Sequence, residues 1–283
     1  MKCFTAGTQI VVGVEFDTDG VFVQYVTVNI EDIQVGDLVY SYDTATGEVS
    51  LREVTDTFVR SSDHINYLTI LDEQGHEQVI ETTDGHPFWV VTDEPDLDRA
   101  AREVVLENGT LIYHENIDSG LCGFWVEAKD LKPGDIFLGV NGELSVLVVS
   151  SRVEFDENIA VYNLRIDGNH NYFIIAKGNE YGQACILVHN GNGFYTVEFE
   201  NGMKYHGKGD YERALESAKI KAKEYGTDRI IGPIDWKSAP DTPSSFIGEA
   251  RRIAEDGGLG KGIERNYNMI NSPGKILIET GTP

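Results

Sequence analysis

Cysteine, basic residues and long apolar runs are all scarce in this chain. Its 283 residues include three cysteines, Cys3, Cys122 and Cys185, with no CxxC spacing. Such a small and odd number excludes a disulfide framework and gives no zinc signature. No apolar run approaches the roughly 20 residues that a membrane span needs, and no apolar signal segment follows Met1-Lys2. We therefore expect no membrane span, and we expect any export to depend on an upstream region that is absent from this chain.

Basic residues are not only few but unevenly placed. The chain has 23 Lys and Arg against 47 Asp and Glu, a net charge of −24. Residues 1–190 hold 10 basic and 33 acidic residues, whereas residues 191–283 hold 13 and 14. This asymmetry indicates two modules. The acidic first part repels nucleic acid and favours solubility, while the near-neutral second part can bind a nucleic-acid backbone through local Lys and Arg clusters.

Short β-branched and aromatic runs fill the first module, separated by Gly, Asp and Asn clusters, a pattern typical of β-structure. The predicted strands are 8–14, 21–28, 37–42, 64–70, 77–82, 87–91, 136–140, 144–153, 160–166 and 172–175. The acidic stretch 93–107 predicts a helical or loose insertion between strands. The hexapeptide at 32–37 recurs at 130–135, each copy opening a strand, and this repeat indicates two related halves.

The pattern changes after residue 190 and predicts a small α+β domain. Asn201-Gly202 is a preferred tight-turn pair and predicts a hairpin. Asp210 and Gly226 are typical of the start and the end of a helix. The predicted elements are strands 194–199 and 203–205, helix 210–225, strand 229–234, helix 246–255 and a last short strand 276–279.

A reactive dipeptide closes the first module, where the apolar run 186–188 ends in His189-Asn190 and Gly191 follows. An Asn side-chain amide can attack its own backbone carbonyl, which forms a succinimide and cuts the chain, and a neighbouring His can transfer the protons. Asn-Gly is also a common turn dipeptide. The opening of the module adds weight, because the thiolate of Cys3 is a strong nucleophile. The alternative role for any one histidine here is an ordinary core or surface residue.

Four groups of residues occur in the order and spacing of a Hint domain, the self-cleaving module shared by inteins and Hedgehog proteins. They are Cys3, Thr83-Asp84-Gly85-His86, Val161-Tyr162-Asn163-Leu164 with His170, and His189-Asn190. Residues 3–190 therefore resemble a Hint domain. The resemblance implies a mostly β, pseudo-symmetric, horseshoe-like fold that needs no cofactor.

The Hint resemblance also implies roles for individual residues. Cys3 is expected to attack the preceding carbonyl, while Thr83 and His86 polarise that bond and protonate its nitrogen. His170 and His189 are expected to assist cyclisation of the terminal Asn.

Two positions depart from the intein pattern. Gly191 stands where an intein has Cys, Ser or Thr, so no nucleophile can receive the upstream segment, and cleavage after Asn190 is expected instead of splicing. Inteins also often carry Asp at the position of Asn163.

The second module resembles the GIY-YIG nuclease family. Gly193-Phe194-Tyr195 is followed, after nine intervening residues, by Tyr205-His206-Gly207, with Arg213 and Glu249 on the two predicted helices. The resemblance implies that Glu249 holds Mg²⁺, that Arg213 clamps a phosphate, and that Tyr195 or Tyr205 orients or deprotonates the attacking water. The further residues expected to bind nucleic acid are Lys208, Arg251, Arg252, Asn268 and Asn271.

A Hint domain that cuts before a domain of this size resembles the end of a bacterial polymorphic toxin. We therefore expect residues 1–190 to release 191–283, a metal-dependent endonuclease that acts on DNA, or on RNA, in the cytoplasm of a target cell. The analogy also implies a cognate immunity protein and delivery by an upstream region. Two alternatives remain: a Hint autoprotease with a non-catalytic binding tail, and a structural Hint domain with a passive C-terminal domain.

Overall fold

A computed structural model describes residues 2–44, 46–101, 114–115, 122–178, 184–191, 193–209, 211–226, 230–232, 234–239, 242–260 and 265–280. These residues form two compact units, one ending at Asn190 and the other beginning at Gly191. No helix within these ranges is long and apolar enough to cross a bilayer.

The first unit is built almost entirely from antiparallel strands, which confirms the predicted mostly β fold class. In chain order they are β1 Phe4–Thr5, β2 Gln9–Phe16, β3 Phe22–Asn29, β4 Leu38–Tyr42, β5 Val49–Leu71, β6 Glu77–Thr82, β7 Pro87–Val91, β8 His114–Glu115, β9 Cys122–Glu127, β10 Ile136–Leu138, β11 Leu144–Ile166, β12 Asn171–Ile175 and β13 Ile186–His189. Single 3₁₀ turns occur at Ile30–Asp32, Leu97–Arg99 and Ala128–Asp130.

The two longest strands, β5 and β11, pair with each other and are longer than the sequence predicts. Each has 23 residues, and they are antiparallel, with Leu164 opposite Thr57. The prediction missed residues 49–63, because this segment is largely polar and exposed, so backbone pairing rather than an apolar pattern keeps it extended. The sequence predicts two separate strands, 144–153 and 160–166. In the structure they are one strand, β11, and the gap between them is a register shift between Glu154 and Ile159.

The predicted insertion at 93–107 is only partly described. It contains the 3₁₀ turn Leu97–Arg99, and residues 102–107 lie outside the described ranges.

The internal repeat has the same local structure in both copies. Gly36 donates its N–H to a carbonyl of β5 at 2.9 Å, and Gly134 donates its N–H to a carbonyl of β11 at 2.8 Å. Both glycines have a left-handed backbone, with φ of 97° and 98°. The carboxylates of Asp37 and Asp135 each accept the backbone N–H three residues earlier. The two halves of the unit are therefore related around the β5–β11 pair.

Strands β12 and β13 carry the histidines of the C-terminal end into the core. Every residue of β12 is buried, and β13 is buried up to His189. The two strands pair with Asn171 opposite His189, so His170 and Asn190 lie side by side just beyond the paired segment.

The second unit is a three-stranded antiparallel sheet with helices. Its elements are β14 Gly193–Glu198, β15 Lys204–Lys208, α1 Tyr211–Tyr225, β16 Asp235–Ser238, α2 Thr242–Glu255 and α3 Gly274–Thr280, and the strand order is β15-β14-β16. The buried residues of its core are Tyr195, Val197, Phe199, Ala214, Ala218, Ile234, Trp236 and Tyr267.

The predicted hairpin and first two helices of this unit are confirmed. Gly202 lies in the hairpin turn with φ of 78°. Helix α1 ends before Gly226 as expected, whereas the predicted cap Asp210 lies outside the described residues. Helix α2 begins at Thr242, four residues earlier than predicted.

Two predicted strands are wrong. Residues 229 and 233 of the strand expected at 229–234 lie outside the described residues. In the described part of that segment Ile230 makes an isolated bridge, and the strand that pairs with β14 is Asp235–Ser238. The segment 276–279 belongs to the helix α3. Its Ile-Leu-Ile run favours a strand, but the backbone N–H groups of Ile276 and Leu277 bond to the Pro273 carbonyl and start a helical turn.

We predict that Gly207→Ala destabilises the second unit. A Cβ at Gly207 would lie 2.4 Å from the Cζ and Oη atoms of Tyr195, and overpacking of this kind costs about 1–3 kcal/mol. The loss of stability is measured by chemical denaturation of Gly207→Ala made in the Asn190→Ala chain, which is expected to stay whole. Gly202→Asn is the matched control, because that position has open space and Asn tolerates a left-handed backbone. Equal stability of the two variants would contradict the prediction.

Candidate functional site

The N-terminal end of the first unit is held by Thr83. The backbone N–H of Cys3 donates to Thr83 Oγ1 at 2.9 Å, and the Thr83 N–H donates to the Cys3 carbonyl at 3.0 Å. Thr83 therefore contacts the nitrogen of the Lys2–Cys3 peptide bond. The Cys3 side chain is buried against Ile65 and Val161.

His86 lies directly beside this end and is fully buried. Its ring packs against Phe4 with centroids 4.1 Å apart. Neither ring nitrogen has a hydrogen-bond partner among the described residues. Buried polar atoms are normally satisfied, so an imidazole without hydrogen-bond partners in the core is unusual.

At the C-terminal end, backbone and side chain of Asn190 are both fixed. Its backbone N–H donates to the His170 carbonyl at 2.6 Å, and its side-chain Nδ2 donates to the Leu164 carbonyl. His170 itself has a left-handed backbone with φ of 54°, a conformation that is uncommon outside glycine. The side-chain amide that would attack the backbone is thus held in one orientation.

The histidines of the two ends share one electrostatic environment. Burial lowers the pKa of His86 well below its ordinary value of 6.5, and the charge of Lys2 adds to this effect. Burial also lowers the pKa of His189, and Lys2, His170 and His86 contribute in that order. Both imidazoles are therefore neutral near pH 7. Sequence reasoning missed Lys2, which is buried although it is a lysine.

In the second unit, most of the predicted nuclease residues line one cavity of about 400 Å³. The predicted residues that line it are Tyr195, Tyr205, Lys208, Arg213, Glu249, Asn268 and Asn271. Sequence reasoning missed Lys221, Phe246 and Ser272, which line the same cavity. Lys221 lies about two helical turns beyond Arg213 on α1 and so on the same face of that helix, a spacing that could have indicated it.

The acidic and phenolic groups of this cavity are partly desolvated. Burial raises the pKa of Tyr195 and that of Tyr205, and the Tyr195 hydroxyl donates to Ser217 Oγ at 2.7 Å. Burial likewise raises the pKa of Glu249, whereas a hydrogen bond with Ser272 and the nearby basic side chains lower it. Both phenols are therefore protonated near neutral pH.

Two predicted phosphate ligands lie elsewhere. Arg251 is exposed on α2 and does not line the cavity. Arg252 borders a different cavity, where its Nη2 pairs with the Asp235 carboxylate at 3.1 Å and its guanidinium stacks on Phe194 at 4.8 Å. The structure thus separates Arg252 from the residues with which the sequence grouped it.

Asn268 lines the cavity but uses its side chain on the backbone. Its Nδ2 donates to the His206 carbonyl at 2.8 Å, and its Oδ1 accepts the His206 N–H at 2.9 Å. This pair of bonds fixes the segment that continues to Asn271, so Asn268 holds the cavity wall in place.

Glu249 is the one carboxylate among the residues that line this cavity, and no cluster of three metal-ligating side chains occurs in the described part of the chain. Mg²⁺ commonly binds one or two carboxylates together with water and substrate phosphate oxygens. The residues present fit that mode of binding, in which the substrate completes the site.

A β unit with a buried cysteine at one end and, at the other, a His-Asn pair whose Asn is held by hydrogen bonds has the features of an autoprocessing Hint domain. The sequence profile of the pretoxin HINT domain matches residues 21–117 and 104–191. The chain belongs to this family. It is therefore part of a polymorphic toxin, with a domain that performs autocatalytic peptide cleavage.

Solved structures with a similar fold include intein-like proteins. A bacterial intein-like domain from Clostridium thermocellum is 29% identical, with 67% of this chain and 99% of that chain covered and a TM-score of 0.44. The DnaB intein from Synechocystis sp. PCC 6803 is 14% identical, with 67% and 98% covered and a TM-score of 0.41. The gp41-1 intein is 20% identical, with 67% and 99% covered and a TM-score of 0.35. A search of curated proteins finds no match.

We predict that acidification destabilises the Hint unit as the pH falls below 6.5. His86 and His189 have a lowered pKa in the folded state, so the unfolded chain binds more protons below pH 6.5 and stability rises with pH in that window. The slope approaches about 1.4 kcal/mol per pH unit for each such histidine. Denaturant unfolding of the Asn190→Ala chain between pH 5 and 8 measures this slope. Adding His86→Gln to that chain should make the slope shallower. A stability that stays constant from pH 7 to 5 would contradict this.

Proposed function

We propose that the Hint unit cuts the chain between Asn190 and Gly191 by cyclisation of Asn190. The Nδ2 atom attacks the Asn190 carbonyl carbon and forms a succinimide ring. The bond to the Gly191 nitrogen breaks, and that nitrogen takes up a proton and leaves as a free amine. His189 and His170 move protons in this step, and the lowered pKa of His189 suits that ring to accept one.

The observation that carries this proposal is the hydrogen bond from Asn190 Nδ2 to the Leu164 carbonyl. A flexible Asn side chain rarely reaches the geometry of attack, and fixing a reacting group in place can contribute several kcal/mol to a rate. The bond from the Asn190 N–H to the His170 carbonyl restrains the backbone of the same residue.

The proposal for the other end is that Cys3 carries out an N–S acyl shift. The Cys3 sulfur attacks the Lys2 carbonyl carbon and forms a thioester, the C–N bond breaks, and the proton of the thiol passes to the Cys3 nitrogen, which becomes a free amine. Support comes from the contact of Thr83 Oγ1 with this nitrogen and from the unpartnered ring of His86 beside it. Because Gly191 has no side-chain nucleophile, the product is a cut chain and not a spliced one.

We predict that the wild-type chain releases residues 191–283 and that Asn190→Ala does not. Asn190→Ala removes the attacking nitrogen, so the rate of release should fall below detection, a loss of at least about 1,000-fold. Intact mass spectrometry over time measures both chains.

The chain contains its own control for spontaneous Asn-Gly chemistry. Asn141-Gly142 is the same dipeptide in the same unit, but it lies in an exposed turn. Cleavage is expected at Asn190-Gly191 alone. The sequence holds five Asn-Gly dipeptides, which begin at Asn108, Asn141, Asn190, Asn192 and Asn201. Cutting at Asn141-Gly142 equal to that at Asn190-Gly191 would mean that the Hint geometry contributes nothing.

We propose that the released part is a GIY-YIG-like, metal-dependent endonuclease. The proposal rests on the 400 Å³ cavity, which contains two tyrosines, two basic side chains and a carboxylate from the predicted set. Three separate elements, the hairpin, α1 and α2, supply these groups, so their meeting is not explained by neighbouring positions in sequence.

Roles in phosphodiester cleavage follow from charge and protonation. Arg213 and Lys208 supply positive charge for the phosphate. A raised pKa keeps Tyr195 and Tyr205 protonated, which favours orientation of the attacking water over its deprotonation. Glu249 would hold Mg²⁺, which neutralises charge on the phosphate and assists the leaving oxygen.

We predict that Glu249→Gln abolishes Mg²⁺-dependent nicking of plasmid DNA by the released unit. Loss of the only cavity carboxylate should lower the rate at least about 100-fold, and chelation by EDTA should have the same effect on wild type. Glu255→Gln on the same helix is the control, because Glu255 lines a different cavity. RNA is assayed in parallel. Binding of nucleic acid with no turnover in wild type would favour the alternative of a non-catalytic binding tail.

The toxin context supplies the remaining proposals. Family membership supports delivery of the chain by an upstream region and action of the released unit in the cytoplasm of a target cell. It also supports a cognate immunity protein that protects the producing cell. Release is physically useful, because an acidic Hint unit repels the nucleic acid that the second unit is proposed to cut.

A further inference from the structure

Tyr172 is a fully buried titratable residue to which neither proposed reaction assigns a role. It lies on β12, two residues after His170, and none of its surface is exposed. Burying a phenol hydroxyl costs free energy unless it finds a hydrogen-bond partner. Its partner is Asn163 on β11, whose Oδ1 accepts the hydroxyl proton at 2.9 Å.

The same oxygen of Asn163 has a second donor. It accepts the backbone N–H of Leu164 at 2.8 Å. The carbonyl of Leu164 in turn accepts Nδ2 of Asn190. A continuous series of hydrogen bonds thus runs from Tyr172 through Asn163 and Leu164 to the nitrogen that is proposed to attack.

We propose that Tyr172 is a positioning residue for the cleavage after Asn190, and that it acts by fixing Asn163 and, through it, the Leu164 carbonyl that orients Nδ2. This inference rests on the proposed function. Asn163 is an amide that cannot exchange a proton near neutral pH, so its contribution is its acceptor oxygen, and the orientation of that oxygen depends on the two donors that it binds.

Tyr172 acts here as a fixed donor and not as an acid. Burial raises the pKa of its phenol well above the ordinary value, and the nearby Cys3 raises it further. The hydroxyl therefore stays protonated near neutral pH.

The test is the rate at which residues 191–283 appear in Tyr172→Phe. Phe has the shape of Tyr without the hydroxyl, so the core stays filled while one donor is lost. A small misplacement of a reacting group can cost up to about 100-fold in rate, and we expect a reduction of about tenfold. The pH–rate profile should keep its shape at lower height, because no proton-transfer group has been removed.

Tyr25→Phe is the matched control. Tyr25 is also buried in the first unit, and its hydroxyl donates to Glu143, outside the series that ends at Asn190. It should lose comparable stability and cleave at the wild-type rate. An equal slowing in both variants would assign the effect of Tyr172 to stability and overturn the inference.

A double-mutant cycle tests the route through Asn163. Asn163→Ala breaks the same series of bonds from the other side, so its effect and that of Tyr172→Phe should not add. Asn163→Ala also tests the series of hydrogen bonds by itself if Tyr172→Phe fails to fold. Additive effects, or a wild-type rate in either variant, would overturn the inference while the cleavage itself stands. A wild-type chain that never cuts would instead remove the proposed cleavage and this inference together.

Discussion

The pairing of β5 with β11 is the constraint on which the rest of the Hint unit depends. These strands run antiparallel over most of their 23 residues each, and they join the two related halves of the fold. Strand β1 pairs with β11, with Phe4 opposite Tyr162, which sets Cys3 next to this strand. The same strand carries Leu164, whose carbonyl holds Asn190. One strand therefore brings together two ends that lie nearly 190 residues apart in sequence.

Burial gives the site its chemistry. Outside a protein core, imidazoles titrate near pH 6.5 and are hydrogen-bonded to water. In the Hint unit the ring of His86 is buried without hydrogen-bond partners in the described residues, and burial together with the charge of Lys2 keeps it neutral. The same forces act on His189. The cost of these buried polar groups is offset by the strands around them, and β12 in particular is buried throughout. Stability and reactivity thus depend on the same core.

In the second unit, a small sheet presents different residues on its two faces. Tyr195 and Thr196 are adjacent on β14, yet Tyr195 lines one cavity and Thr196 lines another. Alternation along a strand therefore separates the proposed catalytic cavity from the polar network around Arg252. Sequence order alone placed Arg251 and Arg252 beside Glu249, but helical geometry turns Arg252 toward Asp235. Glu249 lines the same cavity as Lys208 and Arg213, the side chains that are proposed to bind phosphate.

The amino-acid sequence by itself determined the division near residue 190, the mostly β character of the first unit, the repeat around Gly36 and Gly134, and the types and order of the reactive residues. These follow from local patterns of charge, turn residues and apolar alternation. Only the tertiary structure decided that Asn190 meets Leu164, that α3 is a helix and that Tyr172 joins the series of hydrogen bonds. The reason is physical: such contacts depend on strand register and on pairing between distant segments, and a local pattern in the sequence does not encode either.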